Sequence, residues 1–203
     1  MTRIHRIWGW ALFCLLLSIS PAMVYGQPFQ CAAFSAVPPT VRAEGLAELM
    51  GDVILDCAGG TGASGSANFT IFLNTAVSSN ILGGDTTEAI LLIDEPSAGS
   101  QSLGVNAFQG IRLGSNAITW IGIPVVQPAA GNHRIFRFTN IRADATALSS
   151  GNPGIPATVQ SLVSVAGSIS IPISNPAQIV AFVQSGYSFS ATPAYFKRWL
   201  HTA

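Results

Sequence analysis

Apolar and polar side chains alternate at period two along most of this chain. Val53, Leu55 and Cys57 stand in phase around Ile54 and Asp56, and Phe69, Ile71 and Leu73 stand in phase between Asn68, Thr70 and Asn74. That alternation predicts strands with one buried and one polar face. Ala89-Ile90-Leu91-Leu92-Ile93 is a continuous apolar run and predicts a strand covered on both sides. Residues 108–113 and 117–123 form a predicted hairpin around Gly114-Ser115-Asn116. Phe136 and Phe138 share one face of a strand over 134–141. Val159, Val163 and Val165 share one over 158–165. Gly167 interrupts that pattern, Ile169, Ile171 and Ile173 resume it, and a last strand covers 178–184. About nine strands in one domain predict an all-β fold, a single β-sandwich of immunoglobulin-like or related Greek-key type. Gly-, Ser- and Pro-rich stretches at 58–67, 95–107 and 144–157 read as its long loops.

The first 26 residues break this pattern. Arg3, His5 and Arg6 precede an uncharged apolar run over 7–19, Pro21 follows, and Val24-Tyr25-Gly26 suits a cleavage site before Gln27. Thirteen apolar residues are short of the roughly 20 that span a bilayer. Residues 1–26 therefore read as a secretory signal peptide, 27–190 as the domain, and 191–203 as a tail. In that tail Thr192-Pro193 suits a helix start, and Phe196, Trp199 and Leu200 share a face. The expected product is secreted, periplasmic or at the cell surface, with no transmembrane segment after cleavage.

The whole chain has nine basic and nine acidic residues, and only 9% of it is charged, against roughly a quarter in ordinary domains. This argues against nucleic acid as a partner, which needs a basic face, and against a charge-rich disordered chain. So few charges leave little repulsion between copies, so self-association is one expectation. Cys14 leaves with the leader. Cys31 and Cys57 remain, an even pair in an oxidising compartment, and predict one disulfide worth about 3.5 kcal/mol in the chain-entropy model. Its expected role is to pin the segment holding Pro38-Pro39 to the first strong strand.

Candidate chemistry is sparse. Gly60-Thr61-Gly62-Ala63-Ser64-Gly65, with Asp85 downstream, matches a dinucleotide fingerprint, but that motif needs a helix after its glycines and here a strand pattern follows. We therefore read it as a hairpin loop and expect no cofactor. No G-x-S-x-G elbow is present. His133 and His201 lack metal-ligand spacing. Asp52 and Asp56 would lie about 13 Å apart along one strand, wide for a glycosidase pair. Trp120 shares a face with Ile118 and reads first as core, with Trp120 and Tyr187 together as the alternative, an aromatic platform for a sugar.

Two resemblances add to this. Gly51-Asp52-Val53-Ile54-Leu55-Asp56-Cys57 resembles the second strand of an immunoglobulin-type domain, although the partner cysteine here lies upstream. More of the chain resembles uncharacterised exported bacterial proteins. The shared stretches run from Pro38-Pro39-Thr40-Val41-Arg42-Ala43-Glu44-Gly45-Leu46-Ala47-Glu48-Leu49 through Cys57-Ala58-Gly59-Gly60, Ile71-Phe72-Leu73-Asn74, Leu92-Ile93-Asp94-Glu95-Pro96 and Phe138-Thr139-Asn140-Ile141-Arg142-Ala143 to Val180-Ala181-Phe182-Val183-Gln184. Those proteins have no assigned activity, so the resemblance implies no catalytic residues. Arg42, Glu44 and Arg142 are candidates for an ion-pair cluster that fixes the N-terminal segment. The expected function is non-enzymatic: a structural or adhesive module of the cell envelope or extracellular matrix. A module binding cell-surface polysaccharide is the alternative, and an exported hydrolase using carboxylates is a third.

Overall fold

A computed structural model describes residues 28–129, 131–148 and 155–186. The leader, Tyr187 and the tail lie outside the described residues, as do residues 149–154 of the 144–157 loop. The described strands are β1 (Gln30–Ser35), β2 (Thr40–Arg42), β3 (Glu48–Leu49), β4 (Val53–Ala58), β5 (Ser64–Leu73), β6 (Ile81–Gly83) and β7 (Thr86–Ile93). They continue with β8 (Ala107–Leu113), β9 (Ala117–Val126), β10 (His133–Thr139), β11 (Arg142–Ala143), β12 (Ala157–Gly167), β13 (Ile173–Ser174) and β14 (Ala177–Gln184). Short 3-10 turns at Ala98–Ser100 and Thr146–Leu148 are the only helical elements among the described residues. The fold is all-β.

Backbone bonding joins twelve of these strands into one mixed sheet, in the order β13-β1-β4-β10-β7-β8-β9-β5-β12-β14-β2 with β6 attached to β7, while β11 and β3 form a separate pair. The β1–β13 and β14–β2 pairs are parallel and the others antiparallel. Within the sheet, β7 to β10 lie in the order β10-β7-β8-β9, the 4-1-2-3 arrangement of a Greek key.

The sequence pattern leads one to expect two sheets sharing a core. The structure instead curls one continuous sheet into a half-barrel, so that its two halves face each other. Phe69 of β5 and Phe136 of β10 lie four places apart in the strand order, yet their rings are 4.9 Å apart. Phe138 meets Phe69 at 5.7 Å and Trp120 at 4.9 Å. Period two fixes which side chains point inward, but it does not say where hydrogen bonding stops. Register shifts in β7–β8, β5–β9 and β12–β14 supply the bending, because a bulge tightens local twist. The ends of the path also meet: Gly51 N–H donates to Val180 O at 2.7 Å, and the Gln178 side-chain amide donates to Ala33 O at 3.0 Å. Pro38-Pro39 lies on the crossing between β1 at one end and β2 at the other, with Phe182 N–H donating to Pro39 O.

Most predicted strands fall where the pattern puts them. β4 alternates buried and half-buried side chains, and Phe69, Ile71 and Leu73 are all buried. The hairpin closes at Leu113 opposite Ala117. Three details differ. β5 begins at Ser64, inside the expected 58–67 loop. Ile169, Ile171 and Ile173 do pack against the core, but only Ile173–Ser174 is strand, since Pro172 offers no N–H to a ladder. In β7, Ala89, Leu91, Leu92 and Ile93 are buried and only Ile90 is half-buried, so the run is covered on both sides as expected at its end and opens on one face at Ile90.

The disulfide is present between Cys31 and Cys57, which face each other across β1 and β4 with Cα atoms 3.9 Å apart. Cys31 N–H donates to Pro172 O on the other side. The two cysteines are therefore a non-hydrogen-bonded pair with respect to β4, the closer of the two antiparallel geometries.

Candidate functional site

With Val53, Leu55 and Cys57 turned inward, β4 turns Asp56 outward, and Asp52 sits just before it. With Phe136 and Phe138 inward, β10 turns out His133, Ile135, Arg137 and Thr139. The register sets His133 diagonally from Asp56 and Arg137 diagonally from Asp52. Ionisable groups thus meet on the outer face of β4, β10 and β7.

Arg137 is the hub. Its Nε donates to Asp52 Oδ2 and its Nη1 to Glu95 Oε1, each at 2.8 Å. Asp52 above all, then Glu95, pushes the guanidinium further into its always-charged range, against a lesser opposing effect of burial. The corner that delivers Glu95 is unusual: Asp94 and Glu95 both have left-handed backbone, φ +57° and +47°, a conformation costing roughly 1–2 kcal/mol per L-residue. Ionic contacts hold that corner. Asp94 accepts Ile135 N–H at 3.0 Å and pairs with Arg134 at 3.3 Å. Beyond it, Asn106 accepts Ser102 N–H and donates to Ser100 O, so the 95–107 segment is fastened at both ends.

Asp52, Glu95 and Arg137 line an open groove of about 390 Å³ with Leu92, Pro96, Gln101 and Thr139. Asp52 and Glu95 are no more than about 8 Å apart, two 2.8 Å bonds and one guanidinium span. That distance would suit a glycosidase pair. Their shared partner would not, because a proton-donating carboxyl in such a pair needs a site away from cations. The arrangement clamps β4, β10 and the loop together.

A second depression, lined by Asp56, His133, Ala32 and Ser174 among others, lies nearby. His133 Nδ1 is 2.7 Å from Asp56 Oδ1. Ser174 lies in register with Ala32, itself opposite Asp56. The residue types are those of a nucleophilic triad, but no hydrogen bond joins Ser174 to His133, and His133 is more than half exposed. A triad requires that bond and an oxyanion hole.

The residues singled out from the sequence separate in space. Trp120 is fully buried and its Nε1–H donates to Phe108 O at 3.2 Å, so it presents no face to a sugar and the aromatic-platform alternative loses its central residue. Arg42 pairs with Glu48 at 3.0 Å rather than with Glu44, and Arg142 pairs with Glu88 at 3.2 Å and donates to Ala47 O. Glu44 accepts Gly186 N–H and the Ser185 hydroxyl, each at 3.0 Å. The single cluster expected of these three is thus three separate ties. They do fasten the segment after β1, but their partners lie on elements that sequence spacing does not bring together. The glycine-rich motif leads directly into β5 and no helix follows it. Sequence reasoning weighed Asp52 with Asp56 and missed Arg137 as the meeting point of Asp52 and Glu95. Its only signal was an arginine between two inward phenylalanines.

Among the described residues, no three His, Cys, Asp or Glu side chains gather to hold a metal ion, and no helix is long and apolar enough to cross a membrane. No protein family matches the chain, and no curated protein does. Among solved structures it is similar to one described as "AvmM Catalyzes Macrocyclization in Alchivemycin A Biosynthesis", at 8% identity and a TM-score of 0.29, over 79% of this chain and 91% of that one. A likeness that slight carries no argument about this chain.

Proposed function

We propose that this protein is an exported, non-enzymatic β-module that serves a cell envelope or extracellular matrix by the surface it presents. The observation that carries this reading is how the ionic groups are used. Arg42, Arg134, Arg137 and Arg142 each bind a carboxylate on another element, so the charges tie strands and loops together instead of converging on a substrate. A disulfide bracing β1 on β4 supports an oxidising compartment. We read the finer architecture as a Greek-key sandwich of immunoglobulin-like kind, its two layers being the facing halves of the curled sheet.

Fractionation of cells expressing the full chain tests this reading, with mass measurement of the recovered protein. The expected form lies outside the cytoplasm, begins at Gln27 and is two hydrogens lighter than the dithiol. A reduced chain retained in the cytoplasm with its first 26 residues would overturn the proposal.

A further inference from the structure

The outward side of one half of the sheet differs from the rest of the surface. The adjacent strands β9, β5, β12 and β14 run for 10, 10, 11 and 8 residues without one Asp, Glu, Lys, Arg or His. An ordinary domain, a quarter charged, would place about ten charges in that length. The ion pairs among the described residues all lie elsewhere, on β2–β3, β4, β7, β10, β11 and the 94–95 corner.

An apolar row crosses this face in register. Leu113 of β8 lies beside Ala117, Ala117 beside Phe72, Phe72 beside Leu162, and Leu162 beside Ala177. Leu113, Phe72 and Leu162 are 50%, 36% and 47% exposed, Ala117 between the first two is buried, and Ile179 adds a further exposed side chain on β14. The neighbouring hydroxyls are already partnered: Thr70 and Thr119 bond to each other at 3.0 Å, and Thr119 also donates to Phe69 O. Covering them strands few donors.

We propose that this face binds a second copy of the same chain, sheet against sheet, about a two-fold axis near Phe72 and Leu162. This rests on the surface-presenting reading above and names its partner. A two-fold axis lays a patch on itself, so any charge there would meet its own sign; a face without charges escapes that repulsion. A charged partner would find no counter-ion on it. The dimensions also suffice. Four strands about 4.8 Å apart, each about ten residues at 3.3 Å, give a projected area of about 630 Å². Side-chain relief raises that toward the roughly 800 Å² per partner of a stable interface.

Sedimentation equilibrium of the disulfide-bonded exported chain tests the proposal, with Leu162→Glu and with Leu103→Glu, an exposed position off this face, as control. The wild type and Leu103→Glu are expected to dimerise. Leu162→Glu is expected to weaken dimerisation at least tenfold with its circular dichroism unchanged. Should Leu162→Glu fail to fold, Leu162→Gln takes its place, with a smaller weakening in the same direction. A wild type that stays monomeric to about 1 mM overturns the proposal, and so does a dimer indifferent to residue 162. A chain that dimerises only after removal of residues 187–203 overturns it as well, because that segment is then the native cover. Fractionation separates the two claims: an exported monomer sinks only the dimer, whereas retention in the cytoplasm sinks the reading beneath it.

Discussion

Trp120 shows how one side chain ties local sequence to the whole interior. It packs on Phe138 at 4.9 Å, donates to Phe108 O, and leaves room on β8 only for a glycine: a Cβ on Gly110 would lie 2.4 Å from Ile118 Cγ2 and 2.9 Å from the indole. Trp120→Ala should cost about 3–5 kcal/mol and Gly110→Ala about 1–3 kcal/mol, both read as lower urea midpoints. A Gly110→Ala midpoint equal to wild type would mean that β8 and β9 are less tightly apposed than described. Glu44 gives a pH signature. The Gly186 amide, chiefly, holds its carboxylate below the usual 4.5 against the opposing effect of desolvation, and the Ser185 hydroxyl and Arg42 assist. A depressed folded pKa means the tie is fully present above the unfolded value and is lost as pH falls through the folded one. The Gly186 amide resonance should therefore titrate with a midpoint below 4.5, and Glu44→Gln should abolish that titration. A midpoint at or above 4.5 would contradict the assignment.

At the scale of elements, the crosslink and the bridges hold different parts. Cys31–Cys57 joins neighbouring strands across a sequence separation of 26, so Cys31→Ala with Cys57→Ala should lower stability by about 3.5 kcal/mol, measured by urea unfolding. A loss below about 1 kcal/mol would mean the ladder alone fixes β1. Gly167 read as an interruption of the valine pattern, and the structure gives the reason: a Cβ there would sit 2.4 Å from Ser66 O on the paired strand. β1 itself escaped the reading. Its inward residues are Cys31 and Ala33, too small to register as an alternating apolar run. β4, β5 and β10 were legible because their inward positions carry large side chains. The Arg137 clamp was not legible, because Asp52, Glu95 and Arg137 lie 42 to 85 positions apart and meet only through sheet register and the left-handed corner at Asp94 and Glu95.

For the whole molecule, the curled sheet makes one core of its two halves. Phe69 reaches Phe136 and Phe138 across the interior, and the seam is bonded at Gly51–Val180 and Gln178–Ala33. Neither half buries its inner face alone, so unfolding should be a single cooperative transition. Trp120 fluorescence, with Trp199 replaced by Phe, and far-ultraviolet circular dichroism should give coincident urea curves. Two separated transitions would show that the halves fold independently. The distribution of charge belongs to this scale as well. The ion pairs gather over β4, β10 and β7, whereas the face over β9, β5, β12 and β14 is bare of charge.

The chain's own order of residues determined the all-β class, most strands and their inward faces, the pairing of Cys31 with Cys57, and the absence of a helix after the glycine-rich motif. These follow from near-neighbour physics: a two-residue period, side-chain size and the φ each residue tolerates. Tertiary structure alone decided that two layers are one curled sheet, that Arg42, Glu44 and Arg142 tie to three different partners, that Arg137 gathers two acids, and that four uncharged strands lie side by side. Each of those depends on which distant strands become neighbours, and bulges, seam contacts and burial of the shared aromatic core set that order, not any spacing along the chain.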